Sequence, residues 1–260
     1  MQKLTQIFIL IKKARQTMIE KVPSGIKGLD ELLGGGLPKG RVTLVCGGPG
    51  SGKTILCANF LVAGAVQYNE PGVFVTLDES KDHLTKEMAV FGWDLKKLEE
   101  EKKLLIVDAS PIRILPSQLL LGPVPMSRKE VVLTSLIDLI RRNVRNVGAK
   151  RIAIDPISML ILQYPDVAER RYAIASMFEE LQKFDAAVLV SSELRGEALE
   201  REYQIEEYIS HGVILLQSYQ NGKVKAIKVE KMRGTHCDPN PRPYNITNEG
   251  FVIFPKELVL

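Results

Sequence analysis

The chain has 260 residues, 45% of them hydrophobic and 25% charged, the balance of an ordinary soluble globule large enough for one α/β domain or two small ones. Thirty-five basic against 31 acidic residues leave a net charge of +4, which neither demands nor excludes a nucleic-acid partner. Three widely spaced cysteines (Cys46, Cys57, Cys237) form no CxxC pair and no zinc pattern, so a reduced, cytoplasmic compartment is expected.

Residues 1–18 read MQKLTQIFILIKKARQTM. The apolar run 7–11 is far too short to span a bilayer, so no membrane partner is expected. Its basic residues mostly follow the run and no small-residue cleavage site appears, which makes it a poor signal peptide. A peripheral helix, a short strand, and an upstream extension with Met18 as the natural start all remain open. Further on, apolar β-rich runs at 42–46, 72–77, 104–108, 151–155 and 187–192 alternate with helical patterns near 55–67, 81–91, 129–146 and 170–184. Such alternation predicts a mainly parallel sheet with helices on both faces. Ile152-Ala153-Ile154 and Val188-Leu189-Val190 are continuously apolar, as buried parallel strands are. Four prolines in 110–127 (Pro111, Pro116, Pro123, Pro125) predict a loop. The last quarter changes character. Runs at 211–217, 223–232 and 251–254 read as strands, and Asn221-Gly222 signals a hairpin between the first two. The sheet is therefore expected to end in antiparallel strands. No repeat, low-complexity tract or linker divides the chain.

Residues 47–54, GGPGSGKT, fit G-x-x-x-x-G-K-[ST], the phosphate-binding loop (P-loop, Walker A) of nucleoside triphosphatases. Gly47, Gly48, Gly50 and Gly52, with Pro49 and Ser51 between them, permit backbone angles that turn successive N–H groups inward around phosphates. Lys53 supplies a charge for the β- and γ-phosphates, and the Thr54 hydroxyl can ligate Mg²⁺. The bare pattern arises by chance in roughly one chain in a hundred of this length. Here it lies between a predicted strand and a predicted helix, the setting it requires.

Two acidic positions extend the reading. Asp155 closes the strand 151–155, where open α/β sheets place ligand chemistry, and resembles the element that holds Mg²⁺ through water. The bland alternative is a strand-end Asp turning into Pro156. Asp78-Glu79 closes the strand 72–77, and one of these carboxylates can orient and deprotonate an attacking water, Glu79 first and Asp78 second. The alternative is that Asp78, Glu79 and Ser80 merely cap the next helix. Ser191, Ser192 and Glu193 end another strand, either as contacts to the γ-phosphate or water or as a satisfied strand end.

The motifs also carry a resemblance. Pro23 to Asp30 (PSGIKGLD) and Leu33 to Gly40 (LGGGLPKG) lead into GGPGSGKT, followed by VTLDES (75–80), RIAIDPIS (151–158), ISHGVILL (209–216), EKMRGTH (230–236) and RPYNITNEGFVIFP (242–255). In this order they resemble the KaiC-like ATPases of the RecA superfamily, over about residues 22–256. The resemblance implies a RecA-like core, a hydrolase binding ATP and Mg²⁺ at subunit interfaces of a homo-oligomer, commonly a hexameric ring. It implies residues 22–260 as the ATPase domain and 1–21 as an extension. It implies Gly47–Thr54 for phosphate, Glu79 as base and Asp155 for Mg²⁺. The EKMRGT match adds Lys231 and Arg233 as groups reaching a neighbour's nucleotide. Two residues apart on a predicted strand, they share one face, and Gly234 then turns the chain. A pair of solvated surface charges is the alternative. Family members often carry a His two positions after the Thr of this motif. Cys237 stands there instead, and His236 is not assigned to nucleotide. Clock function and autophosphorylation, properties of a tandem-domain relative, are not implied by one copy.

Two other functions compete with a ring ATPase. A DNA-binding recombinase paralogue of the RadA type would need basic loops, for which Lys12-Lys13, Arg141-Arg142 and Arg170-Arg171 are candidates. An adaptor that binds ATP and turns it over slowly is the third. The 6% aromatic content offers no obvious groove for a protein client.

Overall fold

A computed structural model describes residues 19–110, 118–121, 124–194, 203–219 and 224–259. In chain order the elements are β1 (Lys21–Val22), α1 (Leu29–Leu32), β2 (Leu37–Pro38), β3 (Val42–Gly47), α2 (Lys53–Gln67), β4 (Gly72–Thr76), α3 (Lys81–Ala89), α4 (Leu95–Glu100) and β5 (Leu104–Asp108). Then follow β6 (Gln118–Leu121), β7 (Val124–Ser127), α5 (Arg128–Val147), β8 (Arg151–Asp155), α6 (Ser158–Ile161), α7 (Val167–Gln182) and β9 (Ala187–Glu193). The chain ends with α8 (Ile205–Ile209), β10 (Gly212–Tyr219), β11 (Val224–Met232), β12 (Arg242–Thr247) and β13 (Gly250–Ile253).

One sheet of nine strands runs β13-β12-β11-β10-β3-β9-β8-β4-β5. From β10 to β5 every pairing is parallel, and β11, β12 and β13 add antiparallel pairs. This is the expected mainly parallel α/β sheet with an antiparallel end. Strand β3 is flanked by β9 and β10, so the chain passes over β3 between them and makes a topological switch point there. Register aligns the carboxyl ends along one edge, with Gly47 opposite Glu193 and Thr76 opposite both Asp155 and Asp108.

Alternating residues of β3 explain the two helical layers. Val45 packs with Leu56 and Phe60 of α2, Leu84 of α3 and Leu95 of α4. Val42, Leu44 and Cys46 pack with Leu136 and Ile140 of α5 and Ile174 and Phe178 of α7. In α5 the buried Val132, Leu136, Ile140 and Val144 recur every fourth residue, the stripe that docks a helix on a sheet. Each such side chain contributes about 1.5–3 kcal/mol by leaving water. Asp166 caps α7 by accepting from the Glu169 amide at 2.9 Å, and Asp94 caps α4 by accepting from Lys97 at 3.0 Å.

Several expectations shift. The predicted loop 110–127 contains a hairpin, β6 with β7, registered Leu120 opposite Pro125. A two-stranded ribbon has open edges, where the missing N–H of a proline costs no ladder bond. Pro111, Pro116 and Pro123 lie outside the described residues, as do Asn221-Gly222 and residues 1–18. Short helices α1, α4 and α6 and strand β12 went unpredicted, because four to six residues carry too little periodicity to register. Lys21, the last residue of the expected extension, contacts the domain. Lys21 pairs with Pro38 in β1–β2, and its Nζ donates to the Leu33 and Gly34 carbonyls at 2.6 and 2.7 Å.

Arg151 is the largest fully buried side chain among the described residues. Its Nε donates to Glu70 Oε2 at 2.7 Å, and its Nη1 donates to the carbonyls of Phe60 at 3.0 Å and Ser24 at 3.1 Å. Its guanidinium also lies 4.8 Å from the ring centres of Phe60 and Tyr68. The path is open only because Gly64 has no side chain: a Cβ there would come within 2.3 Å of Arg151 Cδ. Arg151→Met strands Glu70 and two carbonyls, and is expected to lower unfolding stability by about 2–4 kcal/mol. Urea titration checks this, with Glu70→Gln expected to cost less because Glu70 is partly solvated.

Candidate nucleotide-binding site

The phosphate-loop sequence joins two buried elements. All six residues of β3 are buried, and so are ten consecutive residues of α2, Leu56 to Ala65. Gly52 caps α2 with φ 90°, a region that favours glycine. A Cβ on Gly52 would also come within 2.5 Å of Ile246 and 3.0 Å of Phe251. Gly48 and Gly50, by contrast, face open space on the side where a Cβ would stand. No acidic residue occupies the first turn of α2, so its positive end is uncompensated by the helix itself.

Side chains from far along the chain hold the loop. The Tyr244 hydroxyl donates to the Ser51 carbonyl at 2.7 Å, and Tyr244 stacks on Phe251 at 5.0 Å. Lys225 Nζ donates to the Gly50 carbonyl at 2.9 Å. Lys53 Nζ curls back to the carbonyls of Gly47 (2.8 Å) and Gly48 (3.1 Å). Tyr244 and Lys225 escaped sequence reading: 193 and 175 residues separate them from their partners, and no local pattern marks them.

Asp155 ends β8 beside the loop and is 7% exposed. Its carboxylate accepts from the Ser191 and Thr54 hydroxyls. Burial pushes the carboxyl up, and those two hydrogen bonds together with the Lys53 charge oppose it. Thr54 and Asp155, each proposed from sequence for the same ion, are thus brought into contact. Ser192 donates to Glu206 Oε1 at 2.8 Å. Both serine hydroxyls donate within the fold, as the satisfied strand end would.

Strand β4 stops at Thr76, so Asp78 and Glu79 sit in a bend rather than on alternating strand positions. The Thr76 hydroxyl donates to the Glu79 carbonyl at 2.7 Å and fixes that bend. Asp78 is exposed and Glu79 half-buried. Burial raises the Glu79 carboxyl first, and the negative charges of Glu87 and Asp155 raise it further. A carboxylate held above its ordinary range is better matched to accepting a proton near neutrality. Ser80 caps α3 by accepting from the His83 amide at 3.3 Å.

Lys231 and Arg233 lie at the other edge of the sheet. Lys231 is registered against Val213, and Val213 against Leu44, three residues before Gly47. That places Lys231 about 10 Å back along the strands and two strands aside from the loop. Lys231 donates to the Glu207 carbonyl and Arg233 to the Tyr208 carbonyl at 2.9 Å. Neither forms an ion pair among the described residues. Burial and then repulsion from Arg233 hold the Lys231 amine below its ordinary value. Arg233 lies just past β11, and Gly234 takes φ 73° in the turn that follows.

The basic pairs weighed for DNA are partly committed elsewhere. Arg141 pairs with Asp138 and with Glu180 at 2.8 Å, and Arg170 donates to the carbonyls of Tyr164 and Pro165. Lys12-Lys13 lies outside the described residues. A cleft of about 620 Å³ beside Asn59, Trp93 and Phe251 does not include the phosphate loop, where Pro49 and Gly50 are exposed.

The family model for the KaiC ATPase matches residues 22–258. The chain belongs to the KaiC ATPase family. It is similar to the UPF0273 protein MJ1359 of Methanocaldococcus jannaschii, 34% identical over 93% of this chain and 99% of that one. It is also similar to the circadian clock oscillator protein KaiC of a Nostoc species (35% identical) and of Synechococcus elongatus (34%), over 91% of this chain in each case. The match spans only 44% of those two KaiC chains. Among the described residues no helix is long and apolar enough to cross a membrane.

His211 introduces β10 and is buried, with no hydrogen-bond partner for Nδ1 among the described residues. Burial first, then the charges of Arg41, Arg233 and Lys231, push its imidazole down to about 4. The folded chain therefore holds it neutral, whereas the unfolded chain protonates it near 6.5. Its contribution is complete above pH 6.5 and is lost as pH falls toward 4. Thermal unfolding across that window is expected to show a falling midpoint that flattens in His211→Asn.

Proposed function

We propose that the chain is a Mg²⁺-dependent ATPase working as a homo-oligomeric ring, hexameric as in the family it resembles, with residues 22–260 as the ATPase domain and 1–21 as an extension. One observation carries this reading: the two charge sets stand at opposite edges of one sheet. Gly47–Thr54, Glu79 and Asp155 lie at the carboxyl edge, and Lys231 and Arg233 at the amino edge. Arg233 and Lys231 therefore serve the nucleotide of a neighbouring copy, and an open cradle becomes enclosed when that copy covers it. Two repelling cations that form no ion pair among the described residues suit an anionic counterpart.

Amides of residues 47–54 grip the phosphates at the positive end of α2. Lys53 exchanges the Gly47 and Gly48 carbonyls for phosphate oxygens. The Thr54 hydroxyl and Asp155 carboxylate are hard oxygen donors already in contact, a set that fits Mg²⁺. Bound there, Mg²⁺ would neutralise charge on the β- and γ-phosphates. Glu79 orients a water and takes its proton, and Asp78 is the second choice for this role. The water oxygen bonds to the γ-phosphorus as the bond to the β-bridging oxygen breaks, leaving ADP and inorganic phosphate. Arg233 and Lys231 of the neighbour offset the charge that develops.

Lys53→Ala is expected to weaken ATP binding by about 10–100-fold, the worth of one charge-assisted contact. Calorimetric titration with ATP and Mg²⁺ measures it, and unchanged affinity would refute the loop assignment. Arg233→Ala is expected to slow phosphate release by about 10³-fold or more with ATP binding largely kept. Mixing Arg233→Ala with Glu79→Gln subunits tests the neighbour role, because mixed interfaces pair an intact base with an intact arginine. Turnover that stays absent after free subunit exchange counts against it.

A further inference from the structure

Glu79, His83 and Glu87 are spaced four apart, so they line one face of α3 and its lead-in. His83 Nδ1 stands 3.9 Å from Glu79 Oε2 and 3.6 Å from Glu87 Oε1. All three donor atoms lie within 4.8 Å of one another. Both contacts are too long for hydrogen bonds. Glu79 Oε2 is shut off from solvent and has no hydrogen-bond partner among the described residues. Two carboxylates that repel each other thus converge on an imidazole at ion-pair distance, with no hydrogen bond to it. The imidazole, and that orphaned oxygen, separate the group from an ordinary acidic surface.

We infer that Glu79, His83 and Glu87 bind one divalent transition-metal cation of the zinc class, and that the bound cation withdraws the Glu79 carboxylate from hydrolysis. Tetrahedral zinc with ligand bonds of about 2.0–2.2 Å spaces its donors about 3.3–3.6 Å apart. The two nitrogen–oxygen separations come within a few tenths of an ångström of that spacing. Imidazole selects zinc, nickel or iron over magnesium, which prefers an all-oxygen octahedron and keeps its waters. The site therefore differs in chemistry from the Thr54–Asp155 pair. His83 and Glu87 are exposed, at 64% and 46%, so a cation can enter from solvent. A carboxylate committed to a cation is a poorer proton acceptor, because protonation would have to displace the metal. Zinc binding follows from the donor geometry alone, whereas inhibition rests on the reading of Glu79 as the base.

Two measurements separate these parts. Calorimetric titration of the nucleotide-free chain with zinc chloride is expected to show one site per chain. In His83→Gln and in Glu87→Gln that affinity should fall at least about tenfold, since losing a direct ligand costs no less than losing a second-shell partner. No binding by the wild type, or undiminished binding in both variants, overturns the site. Phosphate release under excess ATP and Mg²⁺ is then followed with and without zinc. Zinc should slow the wild type and leave His83→Gln unaffected. Equal slowing of both, or zinc bound without slowing, overturns the inhibitory link. A chain that binds zinc through these residues yet releases no phosphate before zinc is added supports the site and overturns the reading of Glu79 as base.

Discussion

Strand β3 and helix α2 are buried along most of their lengths, and Gly52 joins them at φ 90° with side chains packed where a Cβ would stand. Everything proposed for the site depends on that constraint. Buried elements cannot shift to suit the loop, so the loop must take the one path that connects them. The path leaves Gly48 and Gly50 facing open space, and it aims the positive end of α2 outward. Tyr244 and Lys225 then tie the loop carbonyls of Ser51 and Gly50 to the antiparallel end of the sheet. The proposed phosphate grip is thus preformed by packing.

Parallel strands give the sheet a chemical polarity. Their carboxyl ends gather Gly47, Thr76, Asp155 and Glu193 along one edge, while antiparallel β11 carries Lys231 to the other. Direction alone sorts these groups: a strand running with its neighbours delivers its last residue to the site, and one running against them delivers it away. A cation pair sent to the far edge cannot reach its own loop. In the proposed ring both edges act on one nucleotide.

The carboxylates show how burial and neighbours divide similar groups. Asp155 is buried but hydrogen-bonded to Ser191 and Thr54, contacts that favour its charge. Glu79 is half-buried beside Glu87 and Asp155, which disfavour it, and only His83 opposes them. Burial raises both carboxyls, but Asp155 has three contacts that oppose the rise and Glu79 one. Helix α3 places His83 and Glu87 against that second acid, so the same helix that Ser80 caps can also govern it.

Much of this was legible in the residues. The strand–glycine loop–helix order, the alternation of apolar runs and the acids at strand ends are local patterns, and local patterns follow from backbone sterics and side-chain periodicity. The sequence by itself therefore determined the α/β class, the glycine loop between strand and helix, and the family. It missed the β6–β7 ribbon, because prolines forbid a central strand but not an open-edged one. It missed Arg151, Tyr244 and Lys225, whose partners lie 81 to 193 residues away. Only the tertiary structure decided which serines were already satisfied, that Thr54 meets Asp155, and that Lys231 and Arg233 stand apart from their own loop. Those outcomes depend on strand order and register, which long-range pairing sets and which no window of neighbouring residues contains.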